Sequence, residues 1–312
     1  MDINFCHALE TAMSHSGVNI KGTIDYNKEG FQRFQDAKRP KGKDLFVIIH
    51  GDFGATFGDW HDEANWVKWF VKGKSYRPTV SEIRERQESN LQMRRLRETK
   101  RQQAIYRAKR FWHNTITDDS VYTHPYIVRK QINPYCAKAI VKRRGIKNLL
   151  IIPIRDINYE LQSVQVIKHD GFKRPYKGTT YKNNMIWLSM PPKETYTGVI
   201  RICEGYATGC SIMQAIGGVV ICALSANNLP NIATLLRQKY PDAMIKMCAD
   251  NDCWGKENPG LDYACMASIS SNAFIYCPKF PDQHNNKKLT DFNDLFVLSG
   301  HEEVKRQLIL IR

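Results

Sequence analysis

Carboxylates at two points of the chain have a spacing suited to metal chemistry. A short run of β-branched and apolar residues, 199–203, leads into Glu204, and a second apolar run ends at Asp250 and Asp252. Both runs are typical of buried parallel strands, and open α/β sheets bind ligands beyond the carboxyl ends of such strands. Residues two apart in an extended segment face the same way, so Asp250 and Asp252 can bind one ion. Three hard oxygen ligands indicate Mg²⁺ or Mn²⁺ rather than zinc.

Helices and strands are expected to alternate around these carboxylates. We predict helices over residues 207–216, 229–239, 260–270 and 302–310, and strands over residues 199–203, 218–224, 243–249 and 273–277. Such alternation is typical of a sheet whose strands are joined by helical crossovers. The predicted fold class is therefore α/β, a parallel sheet with flanking helices, preceded by a basic α+β N-terminal region.

This order of motifs resembles the Toprim domain, a metal-binding fold shared by bacterial-type primases, topoisomerases and some nucleases. Glu204 and Gly205 stand where that family has its catalytic glutamate and glycine, and Asp250 and Asp252 match its DxD pair. The sequence DFNDL at residues 291–295 is similar to the segment that closes the domain in plasmid and phage primases. The resemblance covers about a third of the chain.

The resemblance implies a DNA primase, a nucleotidyltransferase that uses nucleoside triphosphates to make short primers on single-stranded DNA. It makes Glu204, Asp250 and Asp252 catalytic residues and ligands of Mg²⁺ or Mn²⁺. Asp291 and Asp294 are further ligand candidates. Glu204 would be either a ligand or a general base, and both roles stay open. No zinc is expected, since the nine cysteines include no CxxC pair.

Positive charge is concentrated ahead of the acidic segment. The net charge is +15; residues 1–195 hold 35 Lys and Arg against 20 Asp and Glu, whereas residues 196–312 hold 11 of each. Lys and Arg supply most of the non-specific affinity for nucleic acids, so this excess suits a polyanionic partner. Residues 80–112 predict a helix with ten basic and four acidic residues, one face of which could lie along a nucleic-acid backbone.

Two basic segments resemble other parts of the primase core. The sequence HPYIVRKQI is similar to a segment of plasmid and phage primases, which would place Arg129 and Lys130 near the nucleotide path. The strand NLLIIPIRD, the hairpin after it and the basic run at residues 172–177 resemble the basic motif of bacterial-type primases. On that likeness Arg155, Lys173 and Lys177 would face the template or the incoming triphosphate.

Four segments are expected along the chain. Residues 1–78 predict a small, mostly β N-terminal unit, residues 79–134 the long basic helix and a connector, residues 135–195 a basic β subdomain of the primase core, and residues 196–312 the Toprim domain. The chain shows no signal-peptide pattern and no apolar run of membrane-spanning length. We therefore expect a cytoplasmic protein that has no membrane partner. The resemblance to primases implies replication proteins, such as a replicative helicase, as partners.

Three other functions are compatible with parts of this pattern. A Toprim nuclease would use the same carboxylates, although the ATPase motif of its overcoming-lysogenization relatives is absent. A topoisomerase needs a transesterifying tyrosine on a separate large domain, for which 312 residues leave little room. A catalytically silent, single-stranded-DNA-binding accessory protein would be favoured by loss of Glu204, Asp250 or Asp252, and all three are intact.

Overall fold

The structure is a computed structural model with two compact units, residues 1–92 and 93–312, each with its own hydrophobic core. It describes residues 3–28, 30–37, 44–51, 53–60, 62, 65–71, 80–116, 119–140, 148–192, 195–254, 258–281 and 288–309. The predicted boundary at residues 78 and 79 lies outside the described residues. No helix among the described residues is long and apolar enough to cross a membrane.

The first unit is an antiparallel sheet with one helix. Its elements are α1 (Ile3–His15), β1 (Ile20–Lys21), β2 (Gly30–Asp36), β3 (Leu45–His50), β4 (Gly54–Asp59) and β5 (Val67–Phe70). The strands pair in chain order, and β3 and β4 form a hairpin. Phe5 and Leu9 of α1 share a core with Val47 and Phe57 of the sheet.

The long basic helix, α2 (Val80–Asn114), has 35 residues, close to the predicted span. Its second half belongs to the second unit. There the helix buries Ala104, Ile105 and Ala108, while most of its charged side chains are exposed. The stretch contains no Gly or Pro and is rich in strong helix formers, which explains why the helix runs unbroken.

A four-stranded antiparallel sheet follows in the second unit, after the short helix α3 (Pro125–Lys130). Its strands, in spatial order, are β6 (Lys138–Ile140), β7 (Leu149–Arg155), β8 (Leu161–Lys168) and β9 (Lys173–Pro175). β7 and β8 are buried along most of their length. β7 is apolar on both faces up to Arg155, whereas β8 also buries the polar residues Ser163 and Gln165.

The second sheet of this unit carries the acidic residues. Its spatial order is β10 (Ile186–Trp187), β12 (Val219–Cys222), β11 (Val199–Cys203), β13 (Met244–Cys248) and β14 (Phe274–Tyr276). The last four strands are parallel to one another, and β10 pairs antiparallel with β12. The helices α4 (Tyr206–Ile216), α5 (Leu229–Lys239), α6 (Pro259–Ser271) and α7 (Phe292–Ile309) connect and cover these strands.

Helices cover both faces of this parallel sheet. Val220 and Cys222 of β12 face a core that also contains residues of α4 and α7, whereas Val219 and Ile221 face a core with residues of α5 and α6. Alternate residues of a strand point to opposite faces, so a strand buried on both sides must be apolar throughout. The α/β class is thus observed, and the carboxyl ends of the strands form an open edge for a site.

Two helices differ from the sequence expectation. The last helix was expected over residues 302–310, but α7 begins at Phe292 and is kinked at Gly300, whose φ is +78°. Glycine reaches this φ at little steric cost, so two shorter helices join there. The second is α3, which was not among the predicted helices; it begins at Pro125 because the His124 ring nitrogen accepts a hydrogen bond from the Tyr126 amide and proline suits the first helical turn.

Candidate active site

Two neighbouring strands bring the predicted carboxylates to one edge of the sheet. Cys203 at the end of β11 is in register with Cys248 at the end of β13. Glu204 therefore follows β11 by one residue, while Asp250 and Asp252 follow β13 by two and four. Because parallel strands end on the same side, all three side chains belong to the crevice beyond the sheet.

Glu204 is anchored at the start of α4. Its carbonyl accepts a hydrogen bond of 2.9 Å from the Leu224 amide, and its carboxylate accepts one from the Ala226 amide. Gly205, in extended backbone, separates Glu204 from the first helical residue. The side chain is half-buried, so the glutamate has a fixed place with limited access to water.

The loop that carries Asp250 and Asp252 is held by the beginning of α6. Asn258, the N-cap residue of this helix, accepts hydrogen bonds from the amides of Asp252 and Leu261, at 2.9 and 3.3 Å. Its amide nitrogen donates to the Asn251 side chain at 3.0 Å. One asparagine thus caps the helix and fixes the acidic loop.

Gly260 also shapes this loop. A Cβ placed there would lie 2.9 Å from the carbonyl oxygen of Asp250 and 3.1 Å from Oδ2 of Asp252. These separations are shorter than a carbon normally tolerates, so the helix approaches the acidic loop this closely only because residue 260 has no side chain.

Asp291 and Asp294 lie at the beginning of α7, where they close the first turn. Oδ1 of Asp291 accepts a hydrogen bond of 2.8 Å from the Asp294 amide, and Oδ2 of Asp294 accepts one of 3.0 Å from the Thr290 amide. Asp294 also lies 3.6 Å from the Lys130 ammonium group. Both predicted ligand candidates therefore have capping contacts, and Asp294 has a cation beside it as well.

The carboxylates influence one another strongly. Burial raises the pKa of Asp250 well above its usual value, and the charges of Asp291, Glu204 and Asp252 raise it further. Burial, followed by the charge of Asp252, likewise raises the pKa of Glu204. The pKa of Asp291 is raised by burial and then by Asp294. This is the behaviour of a set of acidic groups that are short of positive charge.

The donor set fits a hard divalent cation. Oδ1 of Asp250 is shielded from solvent and has no hydrogen-bond partner among the described residues, and the neighbouring groups are carboxylates, the donors that Mg²⁺ and Mn²⁺ prefer. Within the same described ranges, no three His, Cys, Asp or Glu side chains are gathered closely enough to form a ready metal site. Binding a cation would therefore require carboxylate side chains to turn toward it.

The predicted cations fall into two groups. The charges of Lys173 and Lys130 act on the acidic residues: Lys173 lowers the pKa of Glu204 and Asp250, and Lys130 lowers that of Asp291. Those two lysines thus lie beside the site.

The other three have separate contacts. The Arg129 guanidinium donates to the carbonyl of His169 at 3.2 Å and lies over the Tyr126 ring. Arg155 donates to the carbonyl of Tyr159 at 2.8 Å. Lys177 lines a cleft beside α2. The structure therefore brings two of the five predicted cations to the carboxylates.

Sequence analysis missed three contributors to the site. Asn258 and Gly260 position the acidic loop, and the amide of Ala226 holds Glu204. An Asn directly before Pro259 is an N-cap signal that could have been found. The close approach at Gly260 and the backbone contact at Ala226 depend on how distant segments meet, which no local pattern records.

The chain is related in sequence to DNA primases. It is 27% identical over 165 residues to DNA primase TraC of Escherichia coli, a match that covers 52% of this chain and 11% of the relative, and 27% identical over 128 residues to a second TraC primase of the same species. The predicted relationship to DNA primases is thereby confirmed. The chain spans about a tenth of the length of these curated relatives. No family model matches it.

Solved primase structures show a distant likeness. The DnaG primase catalytic domain bound to single-stranded DNA aligns with a TM-score of 0.46 and 10% identity, covering 68% of this chain and 78% of the other. The primase fragment of the bacteriophage T7 primase-helicase aligns with a TM-score of 0.44 and 14% identity, covering 58% and 72%. At these scores the likeness carries no conclusion about chemistry.

Proposed function

We propose that this protein is a DNA primase that synthesises short primers on single-stranded DNA in a metal-dependent, template-directed reaction. The observation that carries the proposal is the crevice at the carboxyl ends of β11 and β13, where the charges of Asp252 and Asp291 add to burial in raising the pKa values of Glu204 and Asp250. The sequence relationship to DNA primase TraC supports primer synthesis as the reaction proposed for this crevice. In this proposal the parallel sheet of residues 196–312 is a Toprim domain, and residues 135–195 are the basic subdomain of the primase core.

Asp250 and Asp252 would hold Mg²⁺ or Mn²⁺, with Glu204, Asp291 and Asp294 as further candidates. When bound, the cation supplies charge that activates a 3′-hydroxyl and neutralises the leaving pyrophosphate. Asp291 and Asp294 have capping contacts already, so they fit a supporting role better than direct binding.

The chain's own groups have distinct tasks. Glu204 is a stronger base than a solvated glutamate because burial raises its pKa, so it suits proton abstraction from the attacking hydroxyl, with the Ala226 amide fixing its orientation. Lys173 brings positive charge to the same crevice and would contact the phosphates of a nucleotide. Asn258 keeps Asp252 in place.

Other groups would guide the substrates. Lys130 and Arg129 would line the nucleotide or template path, and Arg155 and Lys177 would contact template or triphosphate. Single-stranded DNA, nucleoside triphosphates and a replicative helicase would be the partners, and the reaction would take place in the cytoplasm.

The deciding experiment is a synthesis assay on single-stranded DNA with labelled ribo- or deoxynucleoside triphosphates and Mg²⁺ or Mn²⁺. We expect short labelled products from the wild type and at least about 100-fold less from Asp250→Asn or Asp252→Asn, because losing a charge that holds metal costs several kcal/mol of transition-state stabilisation.

Each of the other outcomes would assign this protein a different function. Shortening of an end-labelled template that depends on the same two aspartates would instead identify a nuclease. Template binding with neither synthesis nor degradation would identify an accessory protein. Undiminished synthesis by both variants would place the active site elsewhere.

A further inference from the structure

We infer that a basic cleft in the second unit binds the phosphodiester backbone of single-stranded nucleic acid. The basic cleft has a volume of about 570 Å³ and lies between the second half of α2 and the turn after β9. Its lining includes no acidic residue, and its cations are Arg97, Lys100, Arg101, Arg107 and Lys177. The inference extends the proposed function: the basic cleft itself is seen in the structure, and only the identity of the bound polyanion as template strand rests on the proposed function.

Two small residues give the basic cleft its shape. Ala104 of α2 is buried, and a Cβ added to Gly178 would lie 3.0 Å from the Ala104 Cβ. The helix and the turn therefore meet closely. The cations of α2 share one face, because Lys100 and Arg101 follow Arg97 by three and four residues and Arg107 follows Lys100 by seven. Tyr176 lines the same space and packs on Phe111 at 5.6 Å between ring centroids. Its ring offers a surface on which a base can stack.

The charges in the basic cleft are largely uncompensated. Arg101 donates two hydrogen bonds to Glu98, at 2.7 and 2.8 Å. Among the described residues, the remaining four cations of the lining have neither an ion pair nor a hydrogen bond from their side chains. Neighbouring like charges that lie within a Debye length of about 10 Å repel one another, and a bound anion reduces that repulsion.

The dimensions favour a polymer over a free nucleotide. Arg107 follows Arg97 by ten residues, which corresponds to about 15 Å along a helix. A stacked nucleic-acid strand places about four phosphates over that length, at ~3.4 Å for each nucleotide. Lys177, in the basic cleft, is four residues from Lys173, so the two lie at most about 14 Å apart along an extended chain. Lys173 in turn lies near the carboxylates, because its charge acts on Glu204 and Asp250. A strand bound in the basic cleft would thus be led toward the carboxylates, whereas a triphosphate would fill only part of the cation row.

A matched pair of double variants tests the inference. Lys100→Gln with Arg107→Gln removes two charges from the basic cleft. Arg84→Gln with Arg95→Gln removes two from exposed positions on the opposite face of the same helix. Thermal melts check that both variants fold, as expected for exposed residues. Fluorescence anisotropy then measures the Kd for a labelled oligo-dT across a salt series, with no metal or synthesis involved.

We expect the cleft variant to bind oligo-dT about 20-fold more weakly at ~0.1 M salt, and its slope of log K against log salt to fall by about 1.4 in magnitude, or 0.7 for each lost phosphate contact. The control variant should stay within about twofold of the wild type. Equal weakening of both variants, or of neither, would overturn the inference. The inference would also be overturned if the cleft variant bound a labelled nucleoside triphosphate more weakly than the wild type does but bound oligo-dT equally well.

The two proposals fail separately. Cleft-dependent binding without any primer synthesis would leave the basic cleft standing and remove the proposed function. If the protein makes primers but the cleft variant binds oligo-dT as the wild type does, the proposed function stands and the inference about the basic cleft fails.

Discussion

The side-chain oxygen of Asn258 accepts a hydrogen bond of 2.9 Å from the backbone amide of Asp252. Asn258 is also the N-cap of α6, so one residue both stabilises a helix and orients an acidic loop. The other end of α6 has a comparable residue, Asn272, which adopts the left-handed conformation at the C-cap far along the helix from the acidic loop.

These two asparagines give a matched test of positioning. Asn258→Ala and Asn272→Ala should each cost about 1 kcal/mol of unfolding free energy, because each removes one capping residue from the same helix. Only Asn258→Ala should reduce primer synthesis, by about tenfold or more, since only Asn258 holds Asp252. Thermal melts and synthesis rates measured side by side check this. An equal loss of synthesis in both variants would mean that stability alone explains the effect.

Gly260→Ala should destabilise the protein, although alanine is normally better than glycine in a helix by about 1 kcal/mol. The added Cβ would meet the Asp250 carbonyl at 2.9 Å and Asp252 at 3.1 Å, so we expect a net loss of about 1–3 kcal/mol from overpacking. Chemical denaturation gives the free energy of unfolding. Ser270→Ala, near the other end of α6, is the control and should change it by less than about 0.5 kcal/mol. A more stable Gly260→Ala protein would contradict the close approach.

Lys173 and Arg174 are adjacent on β9 and point to opposite faces of the strand. The charge of Lys173 acts on Glu204 and Asp250, and Arg174, on the other face of the strand, provides a matched control. Lys173→Gln should therefore raise the apparent KM for nucleoside triphosphate by about tenfold, and Arg174→Gln by less than about twofold, an expectation based on one lost charge-assisted contact of about 1.5 kcal/mol. Steady-state kinetics of the two variants decide it. Equal KM values would remove Lys173 from the nucleotide path.

The sequence predicted much of the second unit because its strands are apolar runs that end in carboxylates. The strand over residues 199–203 and the helix over residues 229–239 agree with the structure at both ends. Local patterns could not show that Arg155 donates to the Tyr159 carbonyl, since this contact depends on how the turn after β7 closes. They likewise missed the start of α7, because DFNDL was interpreted through its acidic residues as a site and not as a helix cap.

One strand of the parallel sheet comes from a segment of the chain that was expected to fold separately. β10 lies in the segment 135–195, which was expected to form the basic subdomain, yet it pairs with β12 of the parallel sheet. An antiparallel edge strand supplied from a neighbouring segment leaves little trace in a two-residue sequence. The four-segment division of the chain remains a prediction.

Removing the metal should make stability depend on pH in a direction set by Asp250. Its pKa in the folded protein is raised by burial and then by Asp291, Glu204 and Asp252, so between its unfolded and folded pKa the folded state binds more protons. This contribution to stability is fully present below the unfolded pKa of about 4 and is lost as the pH rises through the folded value. Replacing Asp250 by Asn removes both the charge and this pH dependence.

We therefore expect the melting temperature of wild-type protein in EDTA to fall, relative to that of Asp250→Asn, as the pH rises from about 4.5 to 8. Near neutral pH the variant should be the more stable of the two, although it makes no primer. Added Mg²⁺ or Mn²⁺ should stabilise the wild type, by about 2.7 kcal/mol at 100 times its Kd, and the variant much less. Asp262→Asn, an exposed change in the first turn of α6, is the control and should respond to metal like the wild type. If Asp250→Asn melts like the wild type at every pH and gains as much from metal, Asp250 does not belong to a cation site.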